Sequence, residues 1–194
     1  MIGDGVARGP VMLDISVSLD GYVAGPGDEV GRLHRWVFAG GDEGAGFNEA
    51  LKQDLGDADI GAVIAGRRTY DLASGWGGKP SIEVPWVILS HDVPQKVADG
   101  EWKAFTFVSG GIEEAVATAH GLAEGRTVYV MGGAEIAREC ADAGLLEVIQ
   151  LHVVPVLLGT GIRLFEHLAG STELELESST EVGETLRLRY RVTK

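Results

Sequence analysis

Short apolar runs of strand length alternate with stretches of helical character along most of this 194-residue chain. Strands that are apolar on both sides of the pleat are typical of a parallel sheet covered by helices on both faces. The alternation therefore predicts an α/β fold. The predicted strands are 11–18, 60–65, 85–89, 104–108, 127–131, 147–157, 173–180 and 185–192. The predicted helices are 45–56, 67–74, 112–124, 134–143 and a short one at 163–168.

The C-terminal segment has a different pattern. ELELE (173–177) and LRLRYRV (186–192) both alternate with period two on either side of a glycine-containing turn, VGET. We expect an antiparallel hairpin in which Glu175 faces Arg191 and Glu177 faces Arg189, with the leucines and Tyr190 on the other face. The predicted architecture is a mixed, mainly parallel central sheet with an antiparallel C-terminal hairpin and helices on both faces.

The length fits one domain, and we expect a loose leader at 1–10 followed by a single domain at 11–194. A net charge of −13 disfavours nucleic acid and membrane surfaces as partners. It also means that any phosphate site must be built locally from arginine and backbone N–H groups. The single cysteine, Cys140, excludes an internal disulfide and a multi-cysteine zinc site, and we expect no metal. No signal peptide or membrane span is evident, so a cytoplasmic protein is expected.

Four stretches place residues suited to ligands at the end of a strand. In VYVMGGAEIA, Gly132 and Gly133 stand where a strand becomes a helix, either for close helix–strand packing or so that a ligand can lie against the backbone. In VIAGRRTYD, Gly66 is followed by Arg67 and Arg68 at a helix start. Two guanidinium groups at a helix N-terminus can bind phosphate, or both can simply be solvated.

The other two stretches are weaker when taken alone. PWVILSHD ends a strand in Ser90-His91, which can hydrogen-bond a phosphate or a ribose, although serine is also a common turn residue. In SLDGYVAG, the Asp20-Gly21 pair is typical of a tight hairpin turn, or of a loop that carries Asp20 into a site. The motifs of Rossmann folds, P-loops, zinc proteases, α/β-hydrolases and zinc deaminases are each incomplete or missing.

Taken in order, SLDGYVAG, AVIAGRRTYD, PWVILSHD, VYVMGGAEIA and LHVVPVLLGTGIRLFEHL resemble the dihydrofolate reductase-like superfamily. The branch is that of the C-terminal reductase domain of the riboflavin-biosynthesis deaminase-reductase and its stand-alone relatives. The resemblance runs from about Met12 to the C-terminus. It implies NADPH as cofactor, lying along the carboxyl ends of the strands. The residues that it implies for cofactor binding are Gly66, Arg67, Arg68, Thr69, Leu89, Ser90, Gly132, Gly133, Ala134, Glu135 and Ile136.

The resemblance also implies hydride transfer to a small heterocyclic substrate, pteridine- or pyrimidine-like. Asp20 is the first candidate for a catalytic carboxylate and Glu49 the second, while Trp36 and Phe47 are candidate walls of the substrate pocket. The paired arginines favour NADPH over NADH, because a phosphate dianion is recognised by paired guanidinium groups.

Two departures from the riboflavin enzyme keep alternatives open. The deaminase half with its zinc motif is missing, and LDG is followed by Tyr22 where that enzyme usually has lysine. A stand-alone reductase is therefore the leading interpretation. The alternatives are dihydrofolate reductase and a non-catalytic, nucleotide-binding dimeric protein of the same fold. The long apolar strand 147–157 suggests a homodimer, although a buried central strand would look the same.

Overall fold

The structure is a computed structural model, which describes residues 8–41 and 47–193. Ten strands are present: β1 (Val11–Ser18), β2 (Tyr22–Ala24), β3 (Ile60–Gly66), β4 (Trp86–Leu89), β5 (Phe105–Val108), β6 (Thr127–Val130), β7 (Val148–Val154), β8 (Ile162–Arg163), β9 (Glu173–Val182) and β10 (Thr185–Thr193). The α-helices are α1 (Gly31–His34), α2 (Glu49–Asp57), α3 (Arg67–Leu72), α4 (Gln95–Ala98), α5 (Ile112–Ala123) and α6 (Ala134–Asp142). Short 3₁₀ turns occupy Pro26–Asp28, Arg35–Val37, Ala39–Gly41 and Ser74–Gly78.

Eight strands form one sheet in the order β5-β4-β3-β6-β1-β7-β10-β9. The first six strands in this order run parallel to one another. β10 runs antiparallel to both of its neighbours, β7 and β9. β2 and β8 form a separate two-stranded sheet. Helices cover both faces of the large sheet, which confirms the predicted fold class. The parallel strands end along one edge, and this is where α/β proteins bind ligands.

One face of the sheet is apolar throughout, and we call it the apolar face. It packs against α5 and α6 through small and β-branched side chains, so that helix and sheet approach closely. Gly61 shows how close the approach is, because a Cβ there would lie 2.3 Å from the carbonyl oxygen of Ala123 in α5. The fully buried residues of this face include Val11, Leu13, Ala62, Ile64, Val87, Ala115, Ala119, Ala123, Val128 and Cys140.

The opposite face is divided in two. Over β3, β4 and β5 it is aromatic, with Trp86 fully buried and Tyr70 of α3 edge-on to Phe105. Over β1, β7 and β10 it is covered by α2 and by the turn that contains Trp36. The side chains of the three strands there are largely polar, and the six that we call the polar floor are Asp14, Ser16, Gln150, His152, Arg187 and Arg189.

Most predicted elements are found within one to three residues of their predicted bounds. The predicted helix 45–56 begins at Glu49, because Asn48 caps it by accepting the N–H of Leu51 at 2.8 Å; residues 45 and 46 lie outside the described residues. The predicted helix 163–168 is wrong, since β8 and turns occupy this segment. The short elements β2, β8, α1 and α4 were not predicted. Residues 1–7 of the predicted leader also lie outside the described residues.

The hairpin register is confirmed at its open end and then shifts by one residue. Arg191 pairs with Glu175 as predicted, but a bulge between Arg189 and Tyr190 places Arg189 opposite Ser178. Arg189 still contacts Glu177, with Nε 3.1 Å from Oε2.

The strand predicted at 147–157 lies in the sheet interior as β7, between β1 and β10. Its apolar sequence is thus explained without a dimer. Among the described residues, no helix has the length and apolar character needed to cross a membrane.

Candidate functional site

Two strand-to-helix junctions lie at the carboxyl ends of the parallel strands, which we call the ligand edge. β3 ends at Gly66, which precedes α3, and β6 is followed by Gly132 and Gly133, which precede α6. In the described part of the chain no side chain caps either helix, so their first N–H groups remain available. Free N–H groups at helix N-termini are suited to bind an anion.

The two junctions are in contact. A Cβ at Gly132 would lie 2.8 Å from Thr69 Oγ1, and one at Gly66 would lie 3.0 Å from Ile136 Cγ1. Gly132 also has a φ of +138°, which side-chain-bearing residues rarely adopt. Gly133 differs, because no atom of the described residues lies within 4 Å of the position of its missing Cβ. Gly132 is therefore needed for packing, whereas Gly133 leaves open space.

Arg67 and Ser90 are brought together beside the start of α3. Arg67 Nη1 donates to Ser90 Oγ at 3.3 Å and to the carbonyl oxygen of Asp92 at 3.0 Å. Its Nε is 2.8 Å from Asp71, whose carboxylate raises the pKa of the guanidinium group. Leu89 precedes Ser90 at the end of β4. The guanidinium group of Arg67 is thus held in a fixed orientation at the ligand edge.

Arg68 points in another direction and pairs with Asp28 in the 3₁₀ turn after β2. Its Nε and Nη2 both donate to the carboxylate of Asp28, which raises the pKa of Arg68. The Arg68 side chain remains 68% exposed, whereas that of Asp28 is 19% exposed. The guanidinium group is therefore accessible to an external anion that competes with Asp28.

Asp20 holds two loops together. Its carboxylate accepts hydrogen bonds from Ser18 Oγ (2.6 Å), Leu158 N (3.1 Å) and Gly159 N (2.7 Å). The hydrogen bond from Ser18 is the main cause that lowers the pKa of Asp20 to about 2. The residue therefore stays ionised at neutral pH, and its acceptor sites are occupied. This geometry suits a structural clamp and does not suit a proton donor.

Two of the carboxylates of α2, Glu49 and Asp54, lie on different sides of the helix. The side chain of Glu49 is 89% exposed and pairs with Lys52, so the structure does not bring it to the ligand edge. Asp54 is the buried carboxylate of this helix, with a side chain that is 4% exposed and paired with Arg187 of the polar floor. The sequence interpretation missed Asp54, although residues five positions apart on a helix point in clearly different directions.

Trp36 and Phe47, the predicted pocket walls, belong to the same hydrophobic cluster. Trp36 is 8% exposed and donates from Nε1 to Ser16 Oγ at 2.9 Å. Its indole stacks on the ring of His152, with 4.2 Å between the centroids. Phe47 forms an isolated bridge with Phe38 and packs against the same cluster as Trp36. Trp36 is therefore in direct contact with the polar floor.

The polar floor is the group of residues that the sequence interpretation missed most clearly. Asp14, Ser16, Gln150 and His152 occupy alternate positions in two strands that are otherwise apolar. Each is less than 9% exposed. The signal that could have found them is the period of two, which places all four on one face of adjacent parallel strands.

Comparison with known proteins identifies the family. The sequence model of the RibD C-terminal domain matches residues 10–188, nearly the whole chain. The chain belongs to the RibD C-terminal domain family. This confirms the resemblance stated from the motifs.

Two relatives in Bacillus subtilis (strain 168) are named as uncharacterized proteins. YwjB is 25% identical over 179 residues, which cover 92% of this chain and 95% of YwjB. YyaP is 27% identical over 165 residues, which cover 80% of this chain and 79% of YyaP. Stand-alone chains of this family therefore exist at similar length.

Solved structures share the fold at lower identity. A protein from Shewanella sp. PV-4, named provisionally for riboflavin biosynthesis, has a TM-score of 0.75 and 21% identity over 95% of this chain and 99% of its own. Acinetobacter baumannii RibD has a TM-score of 0.65 and 20% identity, and the match covers 96% of this chain but 58% of RibD. A deaminase/5-amino-6-(5-phosphoribosylamino)uracil reductase of Thermotoga maritima has a TM-score of 0.66 and 14% identity over 96% of this chain and 57% of that one.

Within this RibD C-terminal-like fold, the residues at the ligand edge come from separate parts of the chain. The sheet brings the start of α3, the start of α6 and the end of β4 to one edge. Among the described residues, no group of three or more histidine, cysteine or acidic side chains is arranged to hold a metal ion.

Proposed function

We propose that the protein is an NADPH-dependent reductase that transfers a hydride to a small planar heterocycle of the pteridine or pyrimidine type. One observation carries the proposal. The glycine-containing junctions at Gly66 and Gly132 touch each other, and both lead into uncapped helices at the ligand edge. A dinucleotide diphosphate needs this combination of backbone N–H groups and close backbone approach.

The side chains around the two junctions fit the remaining parts of the cofactor. Arg67 and Ser90, 3.3 Å apart, form a donor pair for the 2′-phosphate side, and Arg68 adds a second, more exposed guanidinium group. The open space at Gly133 accommodates the cofactor backbone against α6. Since guanidinium groups recognise phosphate strongly, this arrangement favours NADPH over NADH.

The bound nicotinamide would supply the hydride, and the protein would supply orientation and exclusion of water. Trp36 and Phe47 are the aromatic side chains available to pack against a planar substrate. Two structural neighbours support a pyrimidine-like substrate by their names: the Thermotoga maritima uracil reductase and a pyrimidine reductase-like protein of Corynebacterium diphtheriae, at a TM-score of 0.63 and 12% identity.

The test is a titration of the apo-protein with NADPH and, separately, with NADH. We expect saturable NADPH binding in the micromolar range. Replacing Arg67 and Arg68 together with alanine should weaken NADPH binding by about 100-fold and NADH binding by less than about tenfold, because each lost charge-assisted hydrogen bond costs about 1.5–3 kcal/mol.

The control is Arg191→Ala, which removes an equally charged side chain from the far end of the sheet. Absence of NADPH binding by the wild-type protein would overturn the proposed function. Equal losses for NADPH and NADH would overturn the assignment of the arginines to the 2′-phosphate.

Gly133→Val tests the open space at the start of α6. The backbone of Gly133 has φ −73° and ψ 174°, which valine tolerates, so we expect the fold to persist and NADPH binding to be lost. Gly170→Val is the matched control, since the position of its missing Cβ is equally free of neighbours among the described residues. Circular dichroism and fluorescence titration measure the two effects. NADPH binding that survives in Gly133→Val shows that the cofactor lies elsewhere.

A second candidate is a nucleotide-binding protein without turnover. The positions of Asp20 and Glu49 favour it, because the first is a clamp and the second faces solvent. Incubation with NADPH and either 7,8-dihydrofolate or 5-amino-6-(5-phosphoribosylamino)uracil, followed at 340 nm, separates the two candidates. Oxidation of NADPH that depends on either heterocycle removes the second candidate, and turnover of dihydrofolate alone would favour dihydrofolate reductase.

The homodimer and the cytoplasmic location stay predictions. The surface best suited to a second copy is the outer edge of β9, which pairs with no other strand of the described chain and exposes Leu174 and Leu176. Sedimentation of the wild-type protein and of a Leu176→Lys variant tests this, and a wild-type monomer would overturn it.

A further inference from the structure

The polar floor contains a buried carboxylate, Asp14, with two neighbours that donate hydrogen bonds to it and a third, His152, that lies close to it. Asp14 Oδ2 accepts from Gln150 Nε2 at 2.9 Å, and Asp14 Oδ1 lies 2.9 Å from His152 Nε2. The hydroxyl group of Tyr129 hydrogen-bonds to the same carboxylate, and burial together with the charge of Asp14 raises the pKa of Tyr129 well above its usual value. The Asp14 side chain is 5% exposed. A buried carboxylate needs such partners to remain charged.

His152 is the neighbour whose hydrogen bonding is incomplete. It is 1% exposed, and within residues 8–41 and 47–193 its Nδ1 has no hydrogen-bond partner. Its Nε2 lies 2.9 Å from Asp14 Oδ1 but outside hydrogen-bond geometry. A buried nitrogen without a partner is unfavourable for the folded state. The free Nδ1 is therefore a site at which an external group can bind.

The charged groups around His152 come from every element packed against it. Asp14 faces it from β1, and Arg187 is its cross-strand neighbour on β10. Asp54 of α2 pairs with Arg187, so these two charges compensate each other. The uncompensated partner of the imidazole is Asp14. A carboxylate in this position fixes the orientation of the ring, as in other histidine–carboxylate pairs.

His152 also lies near the ligand edge. It is two residues before the end of β7 and pairs with Ser16, which is two residues before the end of β1. One face of its ring is covered by the indole of Trp36, at an interplanar angle of 28°. A planar heterocycle that displaces this indole meets the imidazole directly. The stacked ring pair therefore marks a position of the right shape for a flat substrate.

We propose that His152, oriented by Asp14, donates the proton that completes the reduction; this rests on the reductase function proposed above. The electrophilic carbon of a C=N group gains the hydride, and the π pair of that bond moves to nitrogen. The nitrogen takes its proton from His152 Nδ1, so that C=N becomes CH–NH and the dihydronicotinamide is oxidised. His152 is left neutral with its Nε2–H toward Asp14, and solvent restores the proton. Asp14 is a positioning residue in this step.

The first experiment measures NADPH oxidation with 7,8-dihydrofolate and with 5-amino-6-(5-phosphoribosylamino)uracil in wild type, His152→Gln and Asp14→Asn. A general acid contributes about 10²–10⁴-fold, so His152→Gln should lower kcat at least about 100-fold and remove its pH dependence. The Kd for NADPH should stay within about twofold, because the cofactor site is separate. Asp14→Asn, which keeps the size of the side chain, should lower kcat less and shift the pH profile.

The matched control is His120→Gln. His120 of α5 also has a ring nitrogen, Nε2, that is buried and without a partner among the described residues, but it lies near Arg8 and Glu147 on another part of the molecule. We expect wild-type kcat in this variant. A purely structural role for His152 would lower the unfolding temperature and NADPH affinity together, so both are measured for each variant.

The second readout needs no turnover. In the apo-protein labelled with ¹⁵N-histidine, addition of either heterocycle should shift the signal of His152 and leave that of His120 in place. Wild-type turnover that persists in folded His152→Gln overturns the proposal, as does an unshifted His152 signal with a heterocycle that is reduced. If His152→Gln does not fold, an unaltered pH profile in Asp14→Asn overturns it. Wild-type protein that binds NADPH but reduces neither heterocycle contradicts the reductase function itself.

Discussion

The two faces of the central sheet are built from the same strands but by different rules. Leu13 and Asp14 are neighbours in β1, yet Leu13 is fully buried among apolar side chains and Asp14 is surrounded by donors. The side chains of the apolar face could be replaced by many other apolar sets of the same total volume. The polar floor could not, since each buried polar atom there depends on a particular partner. Over β1 and β7, the apolar face therefore supplies packing, whereas the polar floor has the groups with a capacity for chemistry.

The largest expected effect comes from moving a carboxylate to the wrong face. Leu13→Asp places an unpaired charge among Ile64, Val128 and their neighbours, where the described residues offer it no donor. We expect a loss of more than about 4 kcal/mol in the free energy of unfolding, or no folded protein. Urea denaturation measures this. A folded variant of near wild-type stability would show that the apolar face tolerates charge and would remove the contrast between the faces.

A moderate effect is expected from α2, which carries a buried carboxylate, Asp54, and an exposed one, Glu49. Asp54→Asn weakens the pair with Arg187, whose side chain is 24% exposed, and we expect a loss of about 1–3 kcal/mol in the free energy of unfolding. Glu49→Gln is the internal control on the same helix, and its exposed pair with Lys52 should contribute less than about 0.5 kcal/mol. Equal losses in the two variants would contradict the view that the buried pair of Asp54 with Arg187 contributes more than an exposed pair on the same helix.

The smallest effect is expected from Asp20, because its contribution to stability changes only at acid pH. The folded-state pKa of Asp20 is about 2, below its ordinary value of 3.8. Its contribution to stability is therefore complete above about pH 4 and is lost as the pH falls toward 2. Asp20→Asn should flatten the pH dependence of the unfolding temperature in this window. An unchanged acid profile would mean that the clamp to Leu158 and Gly159 does not depend on the charge.

The sheet could be predicted from sequence because its strands carry their own signals. β1 was predicted with its observed bounds, and α5 and α6 with ends one residue from those observed, since apolar periodicity and flanking glycines are local features. β2 and β8 were missed because each is too short to have a pattern and pairs only with the other. The bulge at Arg189 was missed because alternation persists on both sides of it.

The candidate site could be predicted only in part. Gly66 and Gly132 could be singled out from sequence because each glycine follows a strand and precedes a helix. The resemblance then implied that both belong to one cofactor site. The role of Asp54 depends on which side of α2 meets the sheet, and that of His152 on which strands lie beside β7. Both are set by tertiary contacts. The apolar sequence around His152 gives no sign that its Nδ1 has no partner in the described chain.

The contact between Arg68 and Asp28 has a consequence for how any phosphate arrives at this edge. The guanidinium group already holds a carboxylate, so an incoming phosphate exchanges places with Asp28 and does not fill a free position. Binding by exchange releases fewer small counterions than the number of arginines would suggest, and it frees the turn after β2. Ionic strength should therefore affect anion affinity at Arg68 less than it does at an arginine without an acidic neighbour.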